Sequence, residues 1–319
     1  MLKSTKRLLC ATAMAAMTAT SAQAADLVLG VPNWDAANAT SNILKLVIEE
    51  NFGLEVELQN GTNPIIFEAM DAGSMHLHPE VWLPNQQNLH DKYVGTQKSV
   101  VMNEKPVMAE QGICTTKHIS ETYNITSIND LTDPDKISIF DKDDDGKPEI
   151  WMGAPGWAST VIEKIRAKSY GYDQVFDLEE YDGQVAWGEL GAASDSDTPW
   201  IGHCYKPNFI FVAYDLVFLE EPAHDPATWI IIQPTDDPQW LEKSSASTAW
   251  NGAALHMHYA ANIKENFPEV AAMLDNYSMP PETLSEAGFA MGINGQSAED
   301  FAKKWVSENQ DVVLSWLTN

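Results

Sequence analysis

The chain reads as an α/β protein of two lobes, each a mostly parallel sheet flanked by helices. The first sign is a strand–helix–strand unit at its start. Leu27–Val31 is a short apolar run, residues 36–51 put Ile43, Leu44 and Val47 on one helical face before stopping at Gly53, and Leu54–Leu58 alternates apolar with acidic side chains. Units of this kind build parallel sheets. The second sign is that the pattern restarts after residue 107, with a strand expected at Lys136–Phe140 and helices at Thr160–Ser169 and Gln184–Leu190. The third is length, since the chain is long enough for two domains of ordinary size.

Taken in order, residues 1–24 read as a secretory leader. Lys3, Lys6 and Arg7 precede a run of Ala, Met, Leu and Thr that ends in Ala22-Gln23-Ala24, an A-x-A cleavage site. The run is too short to span a membrane, nothing later is long enough, and the expectation is an exported, soluble periplasmic protein. Residues 25–107 form the first lobe. Within it, Pro64–Met70 reads as a helix, and Met75–Trp82 and Ser99–Asn103 read as strands. Val107–Glu110 crosses to a second lobe, 108–227, whose strands include Gly112–Thr116 and Trp200–Lys206. Thr228–Ile232 brings the chain back, so that 228–319 rejoins the first lobe. After a strand at Leu255–Ala260 the tail is helical, with Phe301, Trp305, Val312 and Trp316 on one core-facing stripe.

Charge removes whole classes of partner. Without the leader, Lys+Arg falls from 19 to 16 against 46 Asp+Glu, a net charge of 16 − 46 = −30. Such a surface repels nucleic acid and anionic lipid. Cys114 and Cys204 either pair in an oxidising compartment or stay free, and their spacing leaves both open.

Two stretches carry chemistry. In Phe140–Thr160, FDKDDDGKPEIWMGAPGWAST, Asp141, Asp143 and Asp145 alternate and Gly146 supplies a turn. Lys147 can add a backbone carbonyl and Glu149 a carboxylate, the oxygen-only set that suits Ca²⁺. The twelfth position is Met152, so the bidentate glutamate of a full EF-hand is missing, and an acidic solvated turn is the competing reading. Gly153, Pro155 and Gly156 then break the chain before Trp157, and a helix follows, with Thr160 and Glu163 at capping-box spacing. An indole beside free helix-start N–H groups can receive both a methylated cation and a negative oxygen; the alternative is a core tryptophan after a turn. In the second stretch, HLHPEVWLP, His76, His78, Glu80 and Trp82 alternate and can share one face of a strand. They are candidate metal ligands, or they line a cleft at the carboxyl end of the sheet.

Taken together, FDKDDDGKPEIWMGAPGW, EVWLP and the Cys204-Tyr205-Lys206-Pro207 segment resemble the periplasmic substrate-binding proteins of ABC importers for glycine betaine, proline betaine and related methylated osmolytes. The resemblance covers most of residues 26–319. It implies a type II-like periplasmic binding protein, two lobes joined by hinge strands that close on a ligand held in an aromatic cage. The cage tryptophans correspond to Trp82 and Trp157, and Tyr205 stands where the family has a third aromatic. Trp34 is the candidate fourth wall, ahead of Trp151 and Trp250. The resemblance further implies a monomer that is not an enzyme and that hands its ligand to the transmembrane subunits of a permease.

Two departures bear on the ligand. Gln86 stands where betaine-binding relatives carry a histidine for the ligand carboxylate, and Glu80 adds a carboxylate beside the cage. Both favour a less anionic head group, which puts trimethylamine N-oxide first, glycine betaine close behind, and choline as a further candidate. The backbone N–H groups of Trp157, Ala158 and Ser159 remain for the oxygen. A cysteine pair that flanks this turn in some relatives is absent; Ala154 and Ser159 lie there, and the calcium-type loop 141–149 is the expected substitute for rigidity. The competing function is an exported metal-dependent hydrolase using His76, His78 and Glu80. It lacks any G-x-S-x-G or H-E-x-x-H signature.

Overall fold

A computed structural model describes residues 25–318, and the leader read at residues 1–24 lies outside the described residues. β1 (Leu27–Val31) leads into helix α1 (Asp35–Phe52), which ends on a left-handed Gly53, and then into β2 (Val56–Asn60). Helix α2 (Asn63–Ala72) precedes β3 (Leu77–Leu83) and the short β4 (Val100–Met102). β1 pairs in parallel with both β2 and β3, the ladder that strand–helix–strand units produce.

β5 (Val107–Thr116) is one continuous strand, where the sequence reads as a crossing segment followed by a separate strand. The second lobe adds β6 (Glu149–Trp151), helix α3 (Ala158–Tyr170), β7 (Asp177–Glu179), helix α4 (Gly183–Ser196), β8 (Ile201–Lys206) and β9 (Leu216–Phe218). β6 runs parallel to β7 and β8, while β8 and β9 are antiparallel to β5.

Lys136–Phe140 is not a strand. It forms a helical turn, Pro134–Ile137, and a 3-10 turn, Ser138–Phe140. Pro134 sits at the first helical position, and the Asp133 carboxylate caps it by accepting from the N–H of Asp135. Ile137 and Phe140, three apart, are both buried, which is a helical and not a strand spacing.

The return to the first lobe also differs from the expectation at Thr228–Ile232. There β10 (Trp229–Ile230) pairs with β11 (Ser245–Ala246), and the Ala246 N–H bonds Ser169 Oγ at the end of α3. The crossing is made by β12 (Ala253–Ala260), whose first residues pair with Val107–Ala109 of β5 and whose remainder pairs with β3 and β4. The sheet therefore runs β2-β1-β3-β12-β5-β8-β6-β7, with β5 and β12 side by side as the bridge between lobes.

In the first lobe one apolar core lies where α1 and the C-terminal helices cover the sheet and another packs α2 against β3 and β4, and separate clusters fill the second lobe. The tail stripe forms as expected, but on two helices, α5 (Ala298–Glu308) and α6 (Gln310–Leu317), broken at Asn309. Trp305 and Trp316 are buried and stack at 5.9 Å. Cys114 and Cys204 are joined as a disulfide between neighbouring strands β5 and β8.

Candidate ligand-binding site

The chain turns sharply at Gly153 to aim α3 into the space between the lobes. Gly153 holds φ 124°, and a Cβ there would meet Thr160 Oγ1 at 2.4 Å, so only glycine fits. That hydroxyl donates to the Ala154 carbonyl at 2.8 Å. The Thr160 side chain is thus spent on the turn before the helix and the expected capping box is not formed; Trp157 occupies the N-cap position without a side-chain hydrogen bond. The Trp157 N–H donates to the Ala154 carbonyl at 3.2 Å, which leaves Ala158 and Ser159 as the first-turn amides against the cavity.

Four aromatic side chains from four separate elements meet at this point. Trp34 precedes α1 after β1, Trp82 ends β3, Trp157 precedes α3, and Tyr205 lies near the end of β8. Their rings succeed one another nearly at right angles: Trp34 to Trp157 at 86° and 6.5 Å, Trp157 to Tyr205 at 77° and 5.8 Å, Tyr205 to Trp82 at 80° and 5.1 Å. All four line one cavity, whose empty space, open solvent at the mouth included, is about 360 Å³. Trp151 lies behind Trp157, fully buried with its indole N–H on the Tyr181 carbonyl, and Trp250 bonds Glu163. Neither lines the cavity.

Glu80 does not line it either. Its carboxylate turns to the back of Trp34, accepting from Trp34 Nε1 and Thr40 Oγ1, both at 2.8 Å. Burial pushes its pKa up to about 7 against these two hydrogen bonds. The reading of Glu80 as a charge beside the ligand gives way to one in which it orients a wall. His76, just before the strand, and His78 on it are likewise committed to protein groups. His76 Nδ1 accepts from the Val28 N–H at 2.9 Å, and His78 Nε2 donates to Asn63 Oδ1 at 3.0 Å. Among the described residues the carboxylate and imidazole atoms that gather closely enough for a metal ion belong to Asp141, Asp143 and Glu149, not to this trio.

Those three offer oxygens within 4.8 Å of one another. The loop wraps around Asp141, whose carboxylate accepts from the N–H groups of Asp145 and Gly146, with Gly146 at φ 91°. The Asp145 carboxylate accepts from the Lys147 N–H and stands outside the trio, while the Lys147 ammonium pairs with Asp177. An all-oxygen donor set fits a hard cation such as Ca²⁺ better than a transition metal.

Several cavity residues escaped sequence reasoning. Asn85 and Gln111 exchange two hydrogen bonds, 3.0 and 2.8 Å, across the cavity floor. No motif marks either. Asn63 and His203 also line the cavity. His203 was within reach, because it lies two residues before Tyr205 on the same strand and so shares its face. Gln86 stands in the lining as expected, 2% exposed, and its side-chain oxygen has no hydrogen-bond partner among the described residues; the same holds for Trp157 Nε1. Buried polar atoms rarely stay unpaired without a ligand or water to meet them.

Two α/β lobes on paired crossing strands, with an aromatic-lined cavity between them, define a clamp of the periplasmic-binding-protein class. The chain belongs to the family of substrate-binding domains of ABC-type glycine betaine transport systems, which matches residues 25–308. This is a family of solute-binding proteins, not enzymes, and the hydrolase reading is set aside. The chain is 24% identical over 219 residues to the glycine betaine/proline betaine-binding periplasmic protein of Salmonella typhimurium, a match that covers 66% of this chain and 64% of that protein. It thus spans less than two thirds of that relative's length. In fold it is similar to lactococcal OpuAC, in its closed conformation with glycine betaine, at a TM-score of 0.69 and 21% identity over 92% of this chain and 99% of the other. It is similar also to an ABC-transporter choline-binding protein in complex with choline, at a TM-score of 0.70 and 18% identity over 91% of each.

Proposed function

We propose that the protein captures a fully methylated amine between its lobes, trimethylamine N-oxide ahead of glycine betaine, and delivers it to an ABC permease as a periplasmic monomer. The observation that carries this reading is the run of four aromatic rings, each nearly perpendicular to the next, around one cavity. A trimethylated nitrogen donates no hydrogen bond, so its charge is met by ring faces and close packing. Each desolvated contact is worth about 1–2 kcal/mol, and several together approach the ~8 kcal/mol of micromolar binding. The first-turn amides of Ala158 and Ser159 suit the oxygen end. Gln86, neutral where betaine-binding relatives carry a histidine, favours the smaller N-oxide over a full carboxylate.

The same reading gives Asp141, Asp143 and Glu149, with the Lys147 carbonyl and Asp145 as further oxygens, to a structural Ca²⁺. The ion would fix the loop that leads through β6 to the Gly153 turn.

Tryptophan fluorescence tests the binding claim directly, because three indoles line the cavity. A saturable change with trimethylamine N-oxide is expected. No change with it, with glycine betaine or with choline would overturn the proposal.

A further inference from the structure

We infer that His203, oriented by Glu163, sorts the polar ends of ligands: an anionic oxygen draws a proton onto its Nε2, whereas a hydroxyl is bound without proton uptake. The inference rests on the methylated-amine reading above and deepens it.

The geometry starts behind the cavity wall. Glu163, wholly buried in α3, accepts from His203 Nδ1 at 3.1 Å, Trp250 Nε1 at 2.9 Å and Arg166 Nε at 3.0 Å. Burial opposes charge on Glu163, but the Arg166 guanidinium beside it and the hydrogen bonds from His203 and Trp250 outweigh it and hold its carboxyl below the usual carboxylate range. An ionised carboxylate only accepts, so the proton of His203 sits on Nδ1. The tautomer is thereby set, and Nε2 is left as the atom that changes role.

That atom has no hydrogen-bond partner among the described residues, while the ring lines the cavity. In the neutral ring Nε2 presents a lone pair, which suits the O–H of choline. An N-oxide or carboxylate oxygen needs an N–H instead. The ring supplies one by taking a proton from the buffer, forming an Nε2–H bond and becoming an imidazolium beside Glu163. The other charged and titratable groups around the ring are Arg166 behind Glu163, Glu221 paired with Arg166, and Tyr205 on the same strand. The nearly unexposed Gln86, with its unpaired oxygen, and the unpaired Trp157 Nε1 in the same cavity are independent signs that a polar ligand group completes this site.

The test is calorimetric titration at pH 8 in buffers of different ionisation enthalpy, which counts protons taken up on binding. Wild-type protein is expected to take up a fraction of a proton or more with trimethylamine N-oxide and glycine betaine, and none with choline. His203→Gln should abolish the uptake and weaken the two ligands that end in an anionic oxygen roughly tenfold or more, with choline weakened less, because the glutamine side-chain oxygen can still accept from its hydroxyl. Glu163→Gln, which frees the tautomer, should reduce the uptake. Glu80→Gln removes a nearby carboxyl whose pKa burial raises to about 7, and the uptake should persist whatever happens to affinity. Binding of trimethylamine N-oxide and glycine betaine without uptake, or uptake that vanishes in Glu80→Gln and survives in His203→Gln, overturns the assignment and leaves the methylated-amine reading standing. Silence with all three ligands overturns both.

Discussion

Trp34 Nε1 donates to Glu80 Oε2 at 2.8 Å, so a cavity wall on one side of the indole is tied to a buried carboxylate on the other. The indole's orientation depends on that anchor. Thr40 holds the second carboxylate oxygen, which makes the arrangement a three-residue brace between the β1–α1 turn, α1 and β3.

That brace carries a pH signature. Burial raises the Glu80 pKa from 4.5 to about 7, so the folded protein retains its proton where the unfolded chain has lost it. The stability this contributes is fully present below 4.5 and is lost as pH rises through 7, a swing of about 3 kcal/mol at 1.36 kcal/mol per unit. Denaturant melts at pH 5 and pH 8 should therefore show a component of falling stability that disappears in Glu80→Gln. An identical pH dependence in the variant would mean that Glu80 is solvated enough to titrate normally.

Trp157 touches two other cavity rings and packs on Gly183, where a Cβ would meet its ring at 3.1 Å. Truncation to alanine would leave a hole, so the cleaner variant is Trp157→Leu, which keeps apolar volume and removes the π face. Affinity for trimethylamine N-oxide is expected to fall roughly 10–100-fold, with the melt of the free protein shifted by a few degrees at most. Equal affinities would take Trp157 out of the cage.

If the Asp141 loop holds Ca²⁺, a chelator should lower the melting temperature of wild-type protein, and added Ca²⁺ should restore it. Asp143→Ala should melt low from the outset and ignore both treatments. A wild-type melt indifferent to chelator would reduce the loop to a solvated acidic turn.

The Cys114–Cys204 bond closes a separation of 90 residues within the second lobe, behind the cavity. Replacing both cysteines with alanine should cost about 2–5 kcal/mol of stability in denaturant melts. Ligand affinity should change little, because neither sulfur lines the cavity. A large affinity loss at unchanged stability would show that the bond shapes the site.

Much of the first lobe was legible in the chain because local signals and tertiary roles agree there, whereas Trp82, Trp157 and Tyr205 were legible as cavity walls through the resemblance of the motifs around them to the family. Gly53 stops α1, β1 and β2 pair as the period predicts, and Trp34, Trp82, Trp157 and Tyr205 all sit at strand ends or helix starts. Where the reading failed, a contact distant in sequence decided the outcome. Glu80 alternates with Trp82 in HLHPEVWLP, yet Trp34 and Thr40, some 40 residues earlier, turn it away from the cavity. Thr160 and Glu163 have capping-box spacing, but Gly153 brings Ala154 to Thr160, and Arg166, His203 and Trp250 take Glu163. Asn85 and Gln111, paired across 26 residues, leave no local trace at all.

The measurement that bears most directly on the central claim is parallel calorimetric titration of the Ca²⁺-replete protein with trimethylamine N-oxide, glycine betaine and choline. Micromolar binding of the N-oxide with weaker betaine is the predicted result. Tighter betaine would contradict the role given to Gln86, and no heat from any of the three would contradict the methylated-amine cage itself.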